Sequence, residues 1–325
     1  MTIVLNSQIK LNRNLKGYKF PSMIDENEKD EIISEVRNAV TPLGYQEINI
    51  EGLSSIMKLK YFEEGIFTGD LLKNIKIATV FVKENSPNIL VNEDNHIVIQ
   101  QRKDHLELME LLDEVMDVDD ELDGNLIYAF DDKFGYLTSD INQCGIAMTP
   151  SVVMHLPALS YFGSERIFKN LNRLGYKIRG INGEDNKFSG KIYVISPQNS
   201  IGLSERECVQ KLNNIAAELM SIELEKRQKL YIENFIELED IVKRSYGILR
   251  NAHILNEDEM MDNFSNIFLG MELSVLKAKK EIELWPTIKL LKNGHIQIER
   301  GSLLDRKSRD ILRANNTRSL MKEVF

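Results

Sequence analysis

The sequence predicts an α/β domain followed by a smaller helical domain, on three observations. From Ile3 to about Lys229, strand-like and helix-like hydrophobic periods alternate. The remainder is almost wholly helical in pattern, and no repeat or low-complexity linker separates the two parts. With 325 residues, 42% hydrophobic and 28% charged, the chain can bury a real core and is long enough for a large domain and a smaller one. A boundary at residue 230 gives expected domains 3–230 and 231–325.

In chain order, Asp25 and Glu28 form a capping-box pattern ahead of a helix whose inward face includes Ile32, Ile33, Val36 and Val40. Ile89-Leu-Val91 and Ile97-Val-Ile99 flank the polar turn Asn92-Glu-Asp-Asn95 and read as a hairpin. Pro150 suits the first turn of a helix, so Thr149 to Val153 is expected to open one, with His155 inside it as a packing residue. Lys177 to Ile181 and Lys191 to Ile195 read as strands. Ser204 and Glu207 cap a long helix carrying Leu212, Ile215, Ala216, Leu219 and Ile222. Helices are expected near Leu238 to Leu255, Glu257 to Lys280 with a break at Gly270, and Ser302 to Val324, forming a bundle packed on the α/β body.

The net charge of -9 argues against a general nucleic-acid binder, since phosphate binding rests on clustered Lys and Arg. No basic leader with a long apolar stretch opens the chain and no apolar run reaches membrane-spanning length, so the expected location is the cytoplasm, without a membrane partner. The two cysteines, Cys144 and Cys208, make no disulfide framework and have no metal-ligand spacing, and the five histidines are scattered. His96 beside the hairpin turn reads as a structural hydrogen-bonder, and Cys208 carries no chemistry.

Several motifs add to this. Gly135-Tyr-Leu-Thr-Ser139, Ser151-Val-Val-Met-His-Leu-Pro-Ala158 and Leu174-Gly-Tyr-Lys-Ile-Arg-Gly-Ile-Asn-Gly-Glu184 resemble the scaffold of the ATP:guanido phosphotransferases, the phosphagen kinases. Val4 to Asn14 resembles that family's opening strand, and Asn92 to Gln100 its hairpin. Arg244-Ser-Tyr-Gly-Ile-Leu249 and Arg309-Asp-Ile-Leu-Arg-Ala314 resemble segments of the bacterial protein-arginine kinases. The resemblance implies a catalytic domain built on an antiparallel sheet flanked by helices, followed by the helical domain. It also implies ATP and Mg²⁺ as cofactors and protein arginine or phosphoarginine as substrate. A zinc-containing activator, a stress-response repressor, a Clp-type protease system and a second copy of the chain are the partners it suggests.

Carried over position by position, the resemblance puts Ser7, Gln8, Lys10, Val98, Thr149, Ser151, Arg179, Gly180 and Gly183 at the nucleotide. Asp94 and Glu184 become the carboxylates that orient a guanidinium and accept its proton. Asp140 stands at the family's cysteine position, with Cys144 four residues later, and Gly65 where the branch carries a nucleotide-contacting histidine. Arg309, Asp310 and Arg313 match a phosphoarginine pocket; Arg309 and Arg313, four residues apart, share a helix face and either grip one anion or form a solvated surface.

Phosphoryl transfer needs positive charge around the migrating group. At the family's arginine positions the chain has Gln8, Lys10, Val98 and Thr149, and only Arg179 is kept. Arg179 therefore either holds phosphate or is a surface strand residue paired to Glu184. Likewise, Thr149 to Val153 presents backbone N–H groups to a nucleotide or simply starts a core helix. Removing one transition-state donor costs on the order of 100- to 1000-fold in rate. The expectation is a protein-arginine kinase with weakened catalysis; the alternative is a non-catalytic regulator that binds phosphoarginine or a partner kinase.

Overall fold

The computed structural model describes residues 2–181 and 187–325. Strands β1 (Val4–Arg13), β2 (Gln46–Ile48), β3 (Thr79–Val82), β4 (Asn88–Val91), β5 (Ile97–Asp104), β8 (Met148–His155), β9 (Tyr176–Gly180) and β10 (Ile192–Pro197) form one eight-stranded sheet. Their order is β2-β3-β4-β5-β1-β8-β10-β9, every pairing is antiparallel, and β6 (Phe130–Asp131) with β7 (Gly135–Tyr136) makes a separate ribbon. Helices α1 (Glu26–Val40), α4 (Leu108–Asp123) and α7 (Glu205–Glu233) bury Val36, Val115 and Leu212 against Ile9, Leu11, Ile99 and Val152 on one face of that sheet. The short α2 (Ser55–Glu63), α3 (Gly69–Lys73), α5 (Pro157–Phe162) and α6 (Glu165–Arg173) complete this part. The C-terminal part is helical: α8 (Phe235–Asn251), α9 (Glu257–Glu272), α10 (Leu284–Leu290), α11 (Asn293–Arg300) and α12 (Arg306–Val324).

Local chemistry explains most of these elements. Both capping boxes form: Asp25 Oδ1 accepts from Glu28 N at 3.0 Å, and Ser204 Oγ from Glu207 N at 3.3 Å. The expected hairpin is β4–β5, with Val91 opposite Ile97 and Asn92 at φ 55°, a left-handed value that Asn tolerates better than most residues. His96 is buried as a structural residue: Leu15 N donates to its Nδ1 at 3.0 Å, so Nε2 carries the proton toward Lys19 O at 2.7 Å. Burial lowers its pKa. His155 is buried against Ser265 Oγ at 2.7 Å, and burial pushes the Cys208 thiol up to about 11.

The helix expected from Thr149 is instead strand β8, so neither Thr149 nor His155 is helical. Thr149, Val152 and Val153 are β-branched, and Pro150 lies past the last β8–β10 register pair, Val152 with Ile195. The proline that does start a helix is Pro157. Gly270 does not break α9. A Cβ there would sit 2.5 Å from Val242 Cγ1, so the glycine lets α8 and α9 approach, and the helix ends at Glu272. Helices α10 and α11 lie in a stretch for which no element was expected.

Helix α11 docks on α2 through a buried carboxylate. Glu63 accepts from Gly294 N at 2.8 Å and His295 N at 3.3 Å, so it supplies the N-terminal cap that α11's own Lys292 cannot. Burial raises the Glu63 pKa, opposed by these donors. A Cβ on Gly294 would fall 2.7 Å from Glu63 Oε2 and 2.8 Å from the backbone N of Lys60. Gly294→Ala is expected to cost about 1–3 kcal/mol, read as a lower urea midpoint. An unchanged midpoint would mean that this contact contributes no stability.

Candidate active site

Strand period decides which side chains meet. Along β1, Ile9 and Leu11 point into the helix-covered core, while Gln8 and Lys10 lie on the opposite face. The same alternation puts Val98, Gln100 and Arg102 of β5, Thr149 and Ser151 of β8, and Arg179 of β9 on that opposite face. In register, Gln8 stands between Arg102 and Ser151, and Lys10 between Gln100 and Thr149. Ser7 has the other parity. It is fully buried, its hydroxyl accepts from Glu107 N at 3.1 Å, and it does not face the cleft.

A cavity of about 420 Å³ opens over this face, and Gln8, Lys10, Ser151, Arg179 and Gly180 all line it. A neighbouring cavity of about 710 Å³ shares Gln8, Gly65, Arg102 and Trp285. A third, of about 240 Å³, joins Thr149 and Arg179 to Asp140. Val98 belongs to none of them. It is wholly buried in an apolar cluster with Phe67, Leu71, Val80 and Leu90, so an arginine at 98 would have to displace that packing. Gly183 and Glu184 lie outside the described residues.

Much of the cleft's positive charge is already engaged. Lys10 Nζ lies 3.6 Å from the buried Glu93 carboxylate, which also accepts from the Thr68 hydroxyl. Lys73 pairs with Asp70 at 2.7 Å and Lys292 lies 4.0 Å from Glu257. Lys187 and Lys191, basic residues that follow the Glu184 segment, pair with Asp258 and Asp262 of α9 at 2.7 and 3.2 Å. Arg179 makes no ion pair among the described residues, and its Nε is buried without a hydrogen-bond partner. A buried donor with no partner among the described residues is free to meet an anion in the cleft.

The hairpin turn that carries Asp94 is tied to the loop that carries Asp140. Ser139 Oγ donates to Asp94 O at 2.5 Å, joining the hairpin turn to the 138–144 loop. Desolvation, with Asp70 and Glu93 nearby, raises the Asp94 carboxyl above its ordinary range. Asp140 caps the turn Ile141–Gln143, its Oδ1 accepting from Asn142 N at 3.0 Å, so one of its oxygens is already in use. Cys144 Sγ is 3.5 Å from the Thr138 hydroxyl in the same loop.

The C-terminal arginines do not form an open pair. Arg313 is wholly buried, bonded through Nε to Leu291 O at 2.9 Å and through Nη1 to Leu255 O at 3.0 Å and Asp310 Oδ1 at 2.7 Å, while Nη2 reaches Asn293 Oδ1 at 2.5 Å. Arg309 donates to Leu304 O at 3.3 Å and stays half-buried. Four-residue spacing does give a common helix face, but that face docks against α10 and α11.

Sequence reasoning missed Arg102, Glu93, Lys292 and Trp285. Arg102 was within reach, being two and four residues from Gln100 and Val98 and so on the same strand face. Lys292 and Trp285 come from the helical part and have no local signal.

The chain matches the ATP:guanido phosphotransferase C-terminal catalytic domain over residues 28–227 and the protein-arginine kinase McsB C-terminal domain over residues 235–324. It is 32% identical to a protein-arginine kinase of Caldanaerobacter subterraneus over 96% of this chain and 95% of that one. It is 33% identical to a protein-arginine kinase of Geobacillus stearothermophilus over 96% and 88%. The fold is similar to lombricine kinase, with a TM-score of 0.58 at 17% identity over 68% of this chain and 66% of that one. It is also similar to the duplicated taurocyamine kinase of Schistosoma mansoni, with a TM-score of 0.62 at 18% identity over 93% of this chain and 47% of that chain, about half its length. No described helix is long and apolar enough to cross a membrane. A full-length match at this identity, on a phosphagen-kinase sheet with the helical C-terminal part attached, makes the chain a member of the ATP:guanido phosphotransferase family, in its protein-arginine kinase branch.

Proposed function

We propose that this chain transfers the γ-phosphoryl group of ATP to arginine side chains of proteins, slowly, because its phosphate clamp is depleted. The observation that carries the reading is the Arg179 guanidinium, which has no ion pair among the described residues and lines the same cleft as Lys10, with the Asp94 turn tied to the loop of Asp140. Arg179 and Lys10 would hold the migrating phosphoryl oxygens. Asp94 would orient the incoming guanidinium and take its proton as the new P–N bond forms and the bond to ADP breaks. Its carboxyl, raised by desolvation and by Asp70 and Glu93, is a better proton acceptor than an unshifted one.

The cleft's donors fit a polyphosphate. Mg²⁺ would arrive on the nucleotide, where it neutralises phosphate charge. The alternative is a regulator that binds phosphoarginine or a partner kinase without turnover, favoured by the uncharged Gln8 and Thr149 where the cleft would need cations.

Purified protein with ATP, Mg²⁺ and an arginine-rich acceptor, read as acid-labile protein phosphate, tests the choice. Slow ATP-dependent incorporation is expected, and Asp94→Asn should reduce it by about 100-fold or more. Nucleotide binding with no incorporation would favour the regulator, and fast turnover would overturn the depleted clamp.

A further inference from the structure

We propose that Arg102 is a further phosphate-binding cation of this cleft beside Arg179 and Lys10, facing the same cavity as both. This rests on the reading of the cleft as a nucleotide site. Five cations line the 420 Å³ cavity: Lys10, Lys73, Arg102, Arg179 and Lys292. The three lysines each have a carboxylate partner, whereas Arg102 and Arg179 have no ion pair among the described residues. Both also have a buried Nε with no hydrogen-bond partner. Two guanidinium groups that face one cavity with no carboxylate partner among the described residues match a polyanion.

Neutral groups hold Arg102 in place without cancelling its charge. Gln100 Nε2 donates to Ile66 O at 2.9 Å, Gln8 Nε2 donates to Gln100 Oε1 at 3.2 Å, and Gln8 Oε1 accepts from Arg102 Nη2 at 3.4 Å. This chain of amides fixes the orientation of Gln8, and Glu64 O accepts from Arg102 Nη1 at 3.4 Å. Every acceptor is neutral and both contacts to the guanidinium are long, so its donor capacity is largely unspent. Gly65 makes room: a Cβ there would lie 2.4 Å from the guanidinium carbon and both terminal nitrogens. Burial works against the charge of Arg102, and Asp104, two residues on, supports it only at a distance. Arg102 therefore supplies positive charge from β5 directly opposite Gln8, a neutral residue on β1.

The single tryptophan, Trp285, lines the cavity and gives an intrinsic fluorescence signal. Titrations with inorganic tripolyphosphate and with ATP and Mg²⁺ would use the full chain, Arg102→Gln, Arg102→Lys, and the exchange Gln8→Arg with Arg102→Gln. Arg102→Gln is expected to weaken both ligands at least about tenfold, as loss of a charge-assisted contact does, Arg102→Lys less so, and the exchange should recover most of the affinity. Tripolyphosphate should raise the melting temperature of the parent chain and not that of Arg102→Gln, which should itself melt close to the parent because it gives up only two long contacts to neutral acceptors. Lys289→Gln, in the neighbouring cavity alone, should bind normally.

Unchanged affinity in a folded Arg102→Gln overturns the inference and leaves the proposed kinase intact. Arg102-dependent tripolyphosphate binding without phosphoryl transfer supports the inference and overturns the kinase reading. Absence of binding by either ligand to the parent chain overturns both.

Discussion

Arg313→Ala is expected to lower stability by about 3–5 kcal/mol, seen as a large drop in the urea midpoint with far-UV signal lost from the helical part. The guanidinium is fully buried and joins four segments: α12 through Asp310, the loop before α9 through Leu255, the end of α10 through Leu291, and the start of α11 through Asn293. Removing it strands these acceptors in a desolvated space and leaves the Asp310 carboxylate without its nearest cation, which costs more than the net value of the bonds. Lysine cannot substitute, because one ammonium cannot reach acceptors spread around a planar fork. Arg309→Ala, by contrast, removes one 3.3 Å bond from a half-buried side chain and should change stability by less than about 1 kcal/mol. Equal midpoints for the two variants would mean that Arg313 does not tie these helices together.

Arg179→Ala should have the largest effect on chemistry. If this guanidinium stabilises the migrating phosphoryl group, kcat/KM should fall by about 100- to 1000-fold while the melting temperature stays close to that of the parent, since the side chain has no ion pair among the described residues. Arg179→Lys should recover part of the loss, because a point charge replaces a bidentate fork. The loss should fall mainly on kcat, as for an interaction realised in the transition state. A change in KM alone would make Arg179 a ground-state binding residue, and no change in either constant would move the phosphoryl site elsewhere.

Much of the fold was legible because its signals are local. Asp25 with Glu28 and Ser204 with Glu207 lie three residues apart, and a capping box needs nothing further away. The β4–β5 hairpin shows in two apolar runs around a polar turn. The misread segment was Thr149 to His155, where a short apolar run with a proline fits a helix start or a buried strand equally well. Neighbours β1 and β10, distant in sequence, made it a strand.

The sequence by itself determined the family and the antiparallel scaffold, and the resemblance implied that Gln8, Lys10, Val98 and Thr149 stand at arginine positions. Tertiary structure decided which remaining charges are available. Arg309 and Arg313 look equivalent at four-residue spacing, yet docking of α12 against α10 and α11 buries one and leaves the other half-exposed. Lys10 looks like a free cation until Glu93, far away in the chain, is placed beside it, and Arg102 looks like any strand residue until it is found opposite Gln8 with no ion pair among the described residues. Secondary structure follows from neighbours a few residues apart. The usable charge of a side chain depends on its burial and its partners, which the folded chain assembles from segments that the sequence keeps apart.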